Sequence, residues 1–301
     1  MADLKNLFPN PTVCRPALPM DTPGMLELTR HIWEGEDYVP YTWDAWMADY
    51  EGLLAIAEYK ARVVGLGKVT KLSESDWWLE GLRVHPEFEG RGIASKINDY
   101  LLDFWQRNGS GVIRLATISK REPVKHMVKK RGFNLIGEYE TYEVQFRPSR
   151  DPTTHSTEFQ PVNPAEINEA LSWLAAPGKI RLDFGIMDLG WQFAPPRQEF
   201  IEDYVKREKI WWWQNQQGLL VMVPKTSGDE PWARIRMLAC DREHYLTCLL
   251  DAHSFAEEIG YEGATWKAPN LPEFKKVLTQ AGFIQEKDYT LQIYEKSFNG
   301  D

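Results

Sequence analysis

The chain has 301 residues, 43% of them hydrophobic and 26% charged, with a formal net charge of −9 and a pI of about 5.3. This is the size of one large or two ordinary soluble domains. The acidity argues against a nucleic acid or an anionic membrane as partner. No apolar run approaches the ~20 residues of a membrane helix, and Met1-Ala2-Asp3-Leu4-Lys5-Asn6 carries no signal core. Cys14, Cys240 and Cys248 form no disulfide framework. A cytoplasmic monomer or homodimer is expected.

In chain order, Val13–Pro16 reads as a strand and Thr22–Trp33 as a helix, with Asp21 or Thr22 as N-cap and Pro23 at its start. Thr42–Asp49 reads as a second helix, and Leu53–Tyr59, Arg62–Leu72 and Trp77–Val84 as strands. Ile93–Arg107 is an amphipathic helix with Ile93, Ile97, Tyr100, Leu101 and Phe104 on one face, stopped by Asn108-Gly109-Ser110-Gly111. Val112–Ile118 is a strand, Pro123–Lys130 a helix, and Glu140–Phe146 a strand after a turn at Gly132–Gly137. Pro148 to Thr157 is polar, holds two prolines and reads as a linker, which divides the chain into domains 1–149 and 157–301.

The second half repeats the plan. The expected elements are strand Glu158–Pro161, helices Ala165–Ala175 and Gln198–Lys206, and the hairpin Lys209–Gln214 with Leu219–Pro224. Strand Trp232–Ala239, helix Arg242–Ile259, strand Ala264–Lys267, helix Pro272–Gln280 and strand Tyr289–Tyr294 follow. Arg131-Gly132-Phe133 matches Ala281-Gly282-Phe283. We read a diverged tandem duplication of class α/β (α+β), each half a mixed, mostly antiparallel twisted sheet flanked by helices. Trp211-Trp212-Trp213 on a strand is expected to press one face on the other domain or a dimer mate.

The most informative stretch is Leu82-Arg83-Val84-His85-Pro86, followed by Glu89-Gly90-Arg91-Gly92-Ile93-Ala94. A strand runs into a glycine loop that opens a helix, which is how a backbone makes a phosphate site. In the second half the same place holds Cys240-Asp241-Arg242-Glu243-His244-Tyr245, without glycine and with two added acids.

These motifs, with Arg131-Gly132-Phe133 downstream, resemble the GNAT N-acetyltransferase superfamily over most of residues 12–146. The resemblance implies two GNAT-like domains, the first binding acetyl-CoA and the second lacking the phosphate loop. It implies cofactor contacts along Leu82, Arg83 and Val84, at Gly90, Arg91, Gly92, Ile93, Ala94 and Ser95, and at Arg121. It implies transfer of an acetyl group to a primary amine of a small molecule or amino acid. Three positions depart from the family pattern. Glu89 replaces Gln or Arg at the first motif position. Val128 stands where many members have a tyrosine acid, and Arg121 where they begin that helix with Asn.

A Glu on the fourth strand often serves this family as base, and Glu80 occupies that place. It reads as a general base or as a group that only orients the acceptor. Four residues separate it from Val84, so at strand period both side chains would share one face. Its neighbours Trp77-Trp78-Leu79 are expected to raise its pKa. The resemblance puts the acceptor near Trp33, Glu36, Asp37, Tyr38 and Tyr41, a mix of acids and aromatics that suits a cation or reads as rim packing. The pattern Asp37-Tyr38, Pro40 and Trp43, with Glu80-Gly81-Leu82-Arg83-Val84, is similar to histidine N-acetyltransferase-type proteins. Lys125, Lys129, Lys130 and Arg131 read as solvated helix charge or as contacts to the cofactor's 3′-phosphate. Cys240, His244 and Cys248 share helical spacing, but no second ligand pair follows, so no metal is expected. The rival reading is a non-catalytic acyl-CoA-binding or interaction module.

Overall fold

The computed structural model describes residues 12–146, 158–176, 183–225 and 231–298; the expected linker lies outside them. The chain segregates into two compact units that interleave along the sequence. Among described residues, the first holds 12–116, 126–134 and 295–298, and the second 117–125 and stretches of 135–294. Among described residues no helix is long and apolar enough to cross a membrane.

The first half runs β1 (Val13–Pro16), α1 (Thr22–Thr29), α2 (Val39–Ala48), β2 (Leu53–Tyr59), β3 (Arg62–Lys71), β4 (Asp76–Val84), α3 (Ile93–Asn108), β5 (Val112–Ile118), α4 (Glu122–Lys130) and β6 (Asn134–Gln145). Strands β1 to β4 pair antiparallel in order, and β5 lies parallel to β4. Helices α1 and α2 bury Met25, Leu28, Val39 and Trp43 against Leu54, Ile56 and Leu66 on one face of the sheet. Helix α3 lies on the other face, where Ile93 and Ile97 press so closely on Gly65 and Gly67 that an added Cβ would meet Ile97 at 2.8 Å.

In the first half three boundaries differ from the sequence reading by more than two residues. Helix α1 stops at Thr29, because Trp33 and Glu34 take left-handed φ of 46° and 59° in a tight turn. Helix α2 begins at Val39 rather than Thr42, with Pro40 pre-setting φ in its first turn. Strand β6 starts at Asn134, directly after the α4 cap, rather than at Glu140.

The second half runs β7 (Phe159–Pro161), α5 (Ile167–Leu174), β8 (Met187–Asp188), β9 (Phe193–Ala194), α6 (Gln198–Lys206), β10 (Ile210–Trp213), β11 (Gly218–Pro224) and β12 (Trp232–Cys240). Then come α7 (Tyr245–Glu258), β13 (Gly263–Pro269), α8 (Pro272–Gln280), β14 (Ile284–Gln285) and β15 (Leu291–Ser297). In the second unit β6, β13, β12, β11, β10 and β7 are successive neighbours. Strands β12 and β13 repeat the parallel pairing of β4 with β5; β7, β10, β11 and β12 pair antiparallel in turn, as do β13 and β6.

The matching Gly-Phe motifs are the same helix end twice. Gly132 (φ 80°) and Gly282 (φ 82°) follow α4 and α8. Phe133 N–H donates to Val128 C=O at 3.2 Å and Phe283 N–H to Leu278 C=O at 2.9 Å. Each Gly N–H donates three residues back, to Lys129 and Thr279. This is a Schellman cap with its apolar residue buried beneath it. The tryptophan triplet is packed on both faces within its own unit, which corrects the expected interface. Trp211 and Trp213 join the core of Phe159 and Phe255, and Trp212 that of Tyr204 and Val221.

Candidate functional site

The parallel pairing of β4 with β5 runs from Asp76↔Val112 to Leu79↔Leu115 and goes no further. Beyond Leu79, β4 keeps only β3 as a strand neighbour. His85 N–H donates to Val64 C=O on β3 at 2.9 Å. Strand alternation therefore turns the Val84 N–H away from β3, to the side β5 has left.

A bulge sets the side chains at this opening. Lys68 faces Glu80 and Leu66 faces Arg83, so Gly81 and Leu82 together oppose Gly67. The extra residue reverses the alternation. Glu80 and Arg83 fall on the face covered by α1 and α2, and Val84, opposite Gly65, on the α3 face. The expected shared face of Glu80 and Val84 is thereby corrected. Gly81 takes φ 66°, and a Cβ there would stand 2.5 Å from the Trp46 ring, so both conformation and space require glycine.

Glu80 is half-buried and accepts a hydrogen bond from Thr70 Oγ1 at 2.7 Å. Across the strands, Lys68 is fully buried, bonded to Asp49 and donating to Val69 C=O at 2.7 Å. Desolvation lowers the Lys68 ammonium pKa, opposed by Asp49 and Glu80. Sequence reading missed Lys68, although a lone cation in the apolar run Val63 to Val69 is the signal that marks it.

Asp37 is buried and takes Arg83 in a two-pronged ion pair, with Nε at 2.8 Å and Nη2 at 2.9 Å. Arg83 also lies 4.3 Å below the Trp33 ring and 5.1 Å from Tyr38. Asp37 is therefore engaged by protein, and Arg83 by Asp37 and the aromatics. Trp33 and Tyr38 stack with 6.4 Å between centroids, and Tyr38 meets Trp46 edge-on at 6.1 Å. Desolvation pushes the Tyr38 phenol up, against the pull of Arg83. Trp33 and Tyr38 remain 47% and 40% exposed, and Glu36 and Tyr41 are open to solvent.

Past the C-terminal end of β4, the turn Pro86–Phe88 leads into the glycine loop. Gly90 and Gly92 take φ of 71° and 77° with nothing within 4 Å of an added Cβ. Gly92 is the N-cap of α3 and no side chain caps it; the first intrahelical bond is Lys96 N–H to Gly92 C=O at 3.1 Å. The N–H groups of Ile93, Ala94 and Ser95 thus precede the ladder and open onto the loop, where a phosphate fits. Glu89 is exposed, and Arg91 packs 4.9 Å over Phe88 and donates to Glu87 C=O. Arg131 braces the helix start through Asp99 at 2.5 Å and Ser95 C=O at 3.2 Å, while Lys125 pairs with Glu122. Val128 is fully buried hydrocarbon and brings no proton donor. Arg121 is half-buried and lies in the second unit. Cys240 and Cys248 are buried, and no metal-holding cluster occurs among the described residues.

Comparison with known proteins agrees with this geometry. Residues 22–133 match the model of the acetyltransferase (GNAT) family. The chain is 29% identical over 75 residues to Histidine N-acetyltransferase of Oreochromis niloticus, covering 25% of this chain and 22% of that one. It is 27% identical over 120 residues to Probable N-acetyltransferase 16 of Homo sapiens, covering 37% and 32%. The matched stretches thus span under a third of either relative. Among solved structures, a GCN5-related N-acetyltransferase from Sphaerobacter thermophilus aligns with a TM-score of 0.62 at 12% identity, over 97% of this chain and 98% of that one. A tandem GNAT protein from the clavulanic acid biosynthesis pathway aligns with 0.57 at 13%, over 96% and 99%. The chain thus contains a stretch, residues 22–133, that is similar to the GNAT acetyltransferases. Its fold, over nearly the whole length, is the tandem GNAT fold.

Proposed function

We propose that this protein is an acetyl-CoA-dependent N-acetyltransferase acting on the primary amine of a small molecule or amino acid. The observation that carries the reading is the parting of β4 from β5 at Leu79, which leaves Glu80 at the opening and runs on into the uncapped start of α3. Acetyl-CoA, when bound, supplies the activated thioester. The free edge of β4 from Leu82 to Val84 would hold the pantetheine arm through backbone hydrogen bonds, and the N–H groups from Gly90 to Ser95 would hold the pyrophosphate. Val84 N–H, turned away from β3, would be the donor to the thioester carbonyl. Glu80 removes a proton from the acceptor ammonium, directly or through water. Trp33, Glu36, Tyr38 and Tyr41 form the acceptor wall, and Asp37 acts by holding Arg83.

The test is thiol release from CoA over a panel of amines that includes free histidine. Gly92→Asp is expected to abolish CoA binding by placing a carboxylate at the phosphate cradle. Glu80→Gln is expected to lower kcat by roughly 10²–10⁴-fold and to remove the acidic limb of the pH–rate profile. An unchanged profile and rate would eliminate Glu80 as base. Tight CoA binding without turnover on any amine would favour the rival reading, an acyl-CoA-binding module, which Val128 at the acid position supports.

A further inference from the structure

Register sets Lys68 directly across from Glu80, and Thr70 across from Trp78. Alternation along β3 and β4 then places Lys68, Thr70, Trp78 and Glu80 on one face of the sheet, the face under α1 and α2. On the diagonal, Thr70 Oγ1 donates to Glu80 Oε1 at 2.7 Å.

The ammonium across from this carboxyl is held in a fixed place. Lys68 is fully buried and donates to Asp49 and to Val69 C=O at 2.7 Å. Asp49 is committed in turn. Its Oδ1 accepts from Glu51 N–H and Gly52 N–H, each at 3.1 Å, and its Oδ2 from Lys68. Burial works against the Asp49 charge, yet Lys68 and these N–H groups bring its pKa below the ordinary value. Asp49, Lys68 and Glu80 together carry one net negative charge, and Asp49 is the carboxylate that keeps its own. A proton that enters this cluster therefore goes to Glu80.

The coupling between Lys68 and Glu80 has a definite sign. Burial lowers the Lys68 pKa, and Asp49 and then Glu80 hold it up. Interaction between two titrating groups is reciprocal, so the ammonium favours the Glu80 carboxylate as the carboxylate favours the ammonium. The other groups facing Glu80 do not supply this. Arg83 is paired with Asp37 at 2.8 and 2.9 Å. Asp76, further back on β4, is paired with Arg114 at 2.6 Å. Tyr38, at the start of α2, has a phenol pushed up by burial and stays neutral. Buried Trp78, the neighbour of Glu80 on this face, opposes a charge there by excluding water.

We propose that Lys68 and Thr70 are positioning residues for Glu80: Lys68 keeps its carboxyl ionised, and Thr70 fixes it at the opening beyond Leu79. The inference rests on the reading of Glu80 as the base. The carboxylate must be unprotonated before each turnover. It then takes one proton from the acceptor ammonium, which leaves a neutral amine and a carboxylic acid. The buried cation makes the base ready at lower pH than its apolar neighbours alone would allow.

The experiment follows the Glu80 carboxyl by NMR titration of the full chain with isotope-labelled glutamate carboxyls, and follows turnover beside it. The Glu80 signal is the one absent from Glu80→Gln. In Lys68→Met, the Glu80 titration and the acidic limb of the pH–rate profile are both expected to move up by about one pH unit, because a cation that favours the carboxylate is gone. Thr70→Val removes a hydrogen bond to the charged form with no change in net charge. It is expected to move both up by about half a unit, and Thr70→Ser to restore them. The Thr70 pair decides the matter if Lys68→Met fails to fold. Lys71→Met, on the same strand but paired with surface Glu51 and Glu74, leaves both in place. A Glu80 titration unmoved in either Lys68→Met or Thr70→Val, or moved as far in Lys71→Met, overturns the proposal. A carboxyl that shifts as expected while Glu80→Gln turns over at the parent rate upholds the coupling and removes Glu80 as base.

Discussion

Lys68 has no exposed surface, and its ammonium is held by Asp49 and the Val69 carbonyl on the strand that faces Glu80. Burying a cation is tolerable only while its partner stays. Asp49→Ala is therefore expected to cost about 3–5 kcal/mol by stranding the charge, and Lys68→Met markedly less, since it removes the charge itself. Urea denaturation of the two variants checks the order; the reverse ranking would mean that Asp49 is dispensable to Lys68. Sequence reading singled out Glu80 from its neighbours, and the strand register puts it just past the last β4–β5 pair at Leu79. It misjudged Asp37 as a free acceptor contact, because its partner Arg83 lies 46 residues away and nothing local announces the pair. Arg83 was expected at the cofactor, and the bulge at Gly81 turns it instead toward Trp33 and Tyr38.

Elements were legible where local chemistry decides them. The amphipathic period of α3 and the Gly-Phe caps of α4 and α8 are written in consecutive residues. The bulge in β4 was not, since a single glycine in a strand pattern also fits plain pairing, and only the register against β3 reveals the extra residue. The hairpin β8–β9 also escaped, as two strands of two residues each are too short to show a period. Helix α7 carries a testable titration. His253 packs its ring 5.3 Å from Phe146 and 5.0 Å from Phe283, its Nε2 has no partner, and burial lowers its pKa from 6.5 to about 4. A histidine depressed in the folded state takes its proton more readily when unfolded. Stability is thus fully present above pH ~6.5 and is lost as pH falls toward ~4, by up to about 3 kcal/mol. His253→Phe is expected to flatten that part of the stability–pH curve, measured by urea midpoints from pH 7.5 to 4. A curve of unchanged slope would remove His253 as its source.

At the scale of the whole molecule, the expected boundary at 149 separates residues that the fold keeps together. The first unit includes residues 295–298. Glu295 pairs with buried Arg114 at 2.7 Å, Lys296 donates to Arg131 C=O at 2.7 Å, and Phe298 meets Trp105 edge-on at 5.5 Å. A fragment ending at residue 149 is therefore expected to melt well below the first transition of the full chain, or to aggregate, and calorimetry decides. Adding a peptide of residues 291–298 is expected to raise its Tm. A fragment as stable as the full chain would show these contacts to be superfluous. By itself, the sequence determined what short range can encode: the repeated element order, the glycine loop that opens α3, and the missing loop in the second half. Only the tertiary structure decided the face on which Glu80 stands, the engagement of Asp37 by Arg83, and the placing of Lys68 and Thr70 against Glu80. The physical reason is register. Side-chain direction in a sheet depends on how strands distant in sequence align, and one inserted residue reverses it.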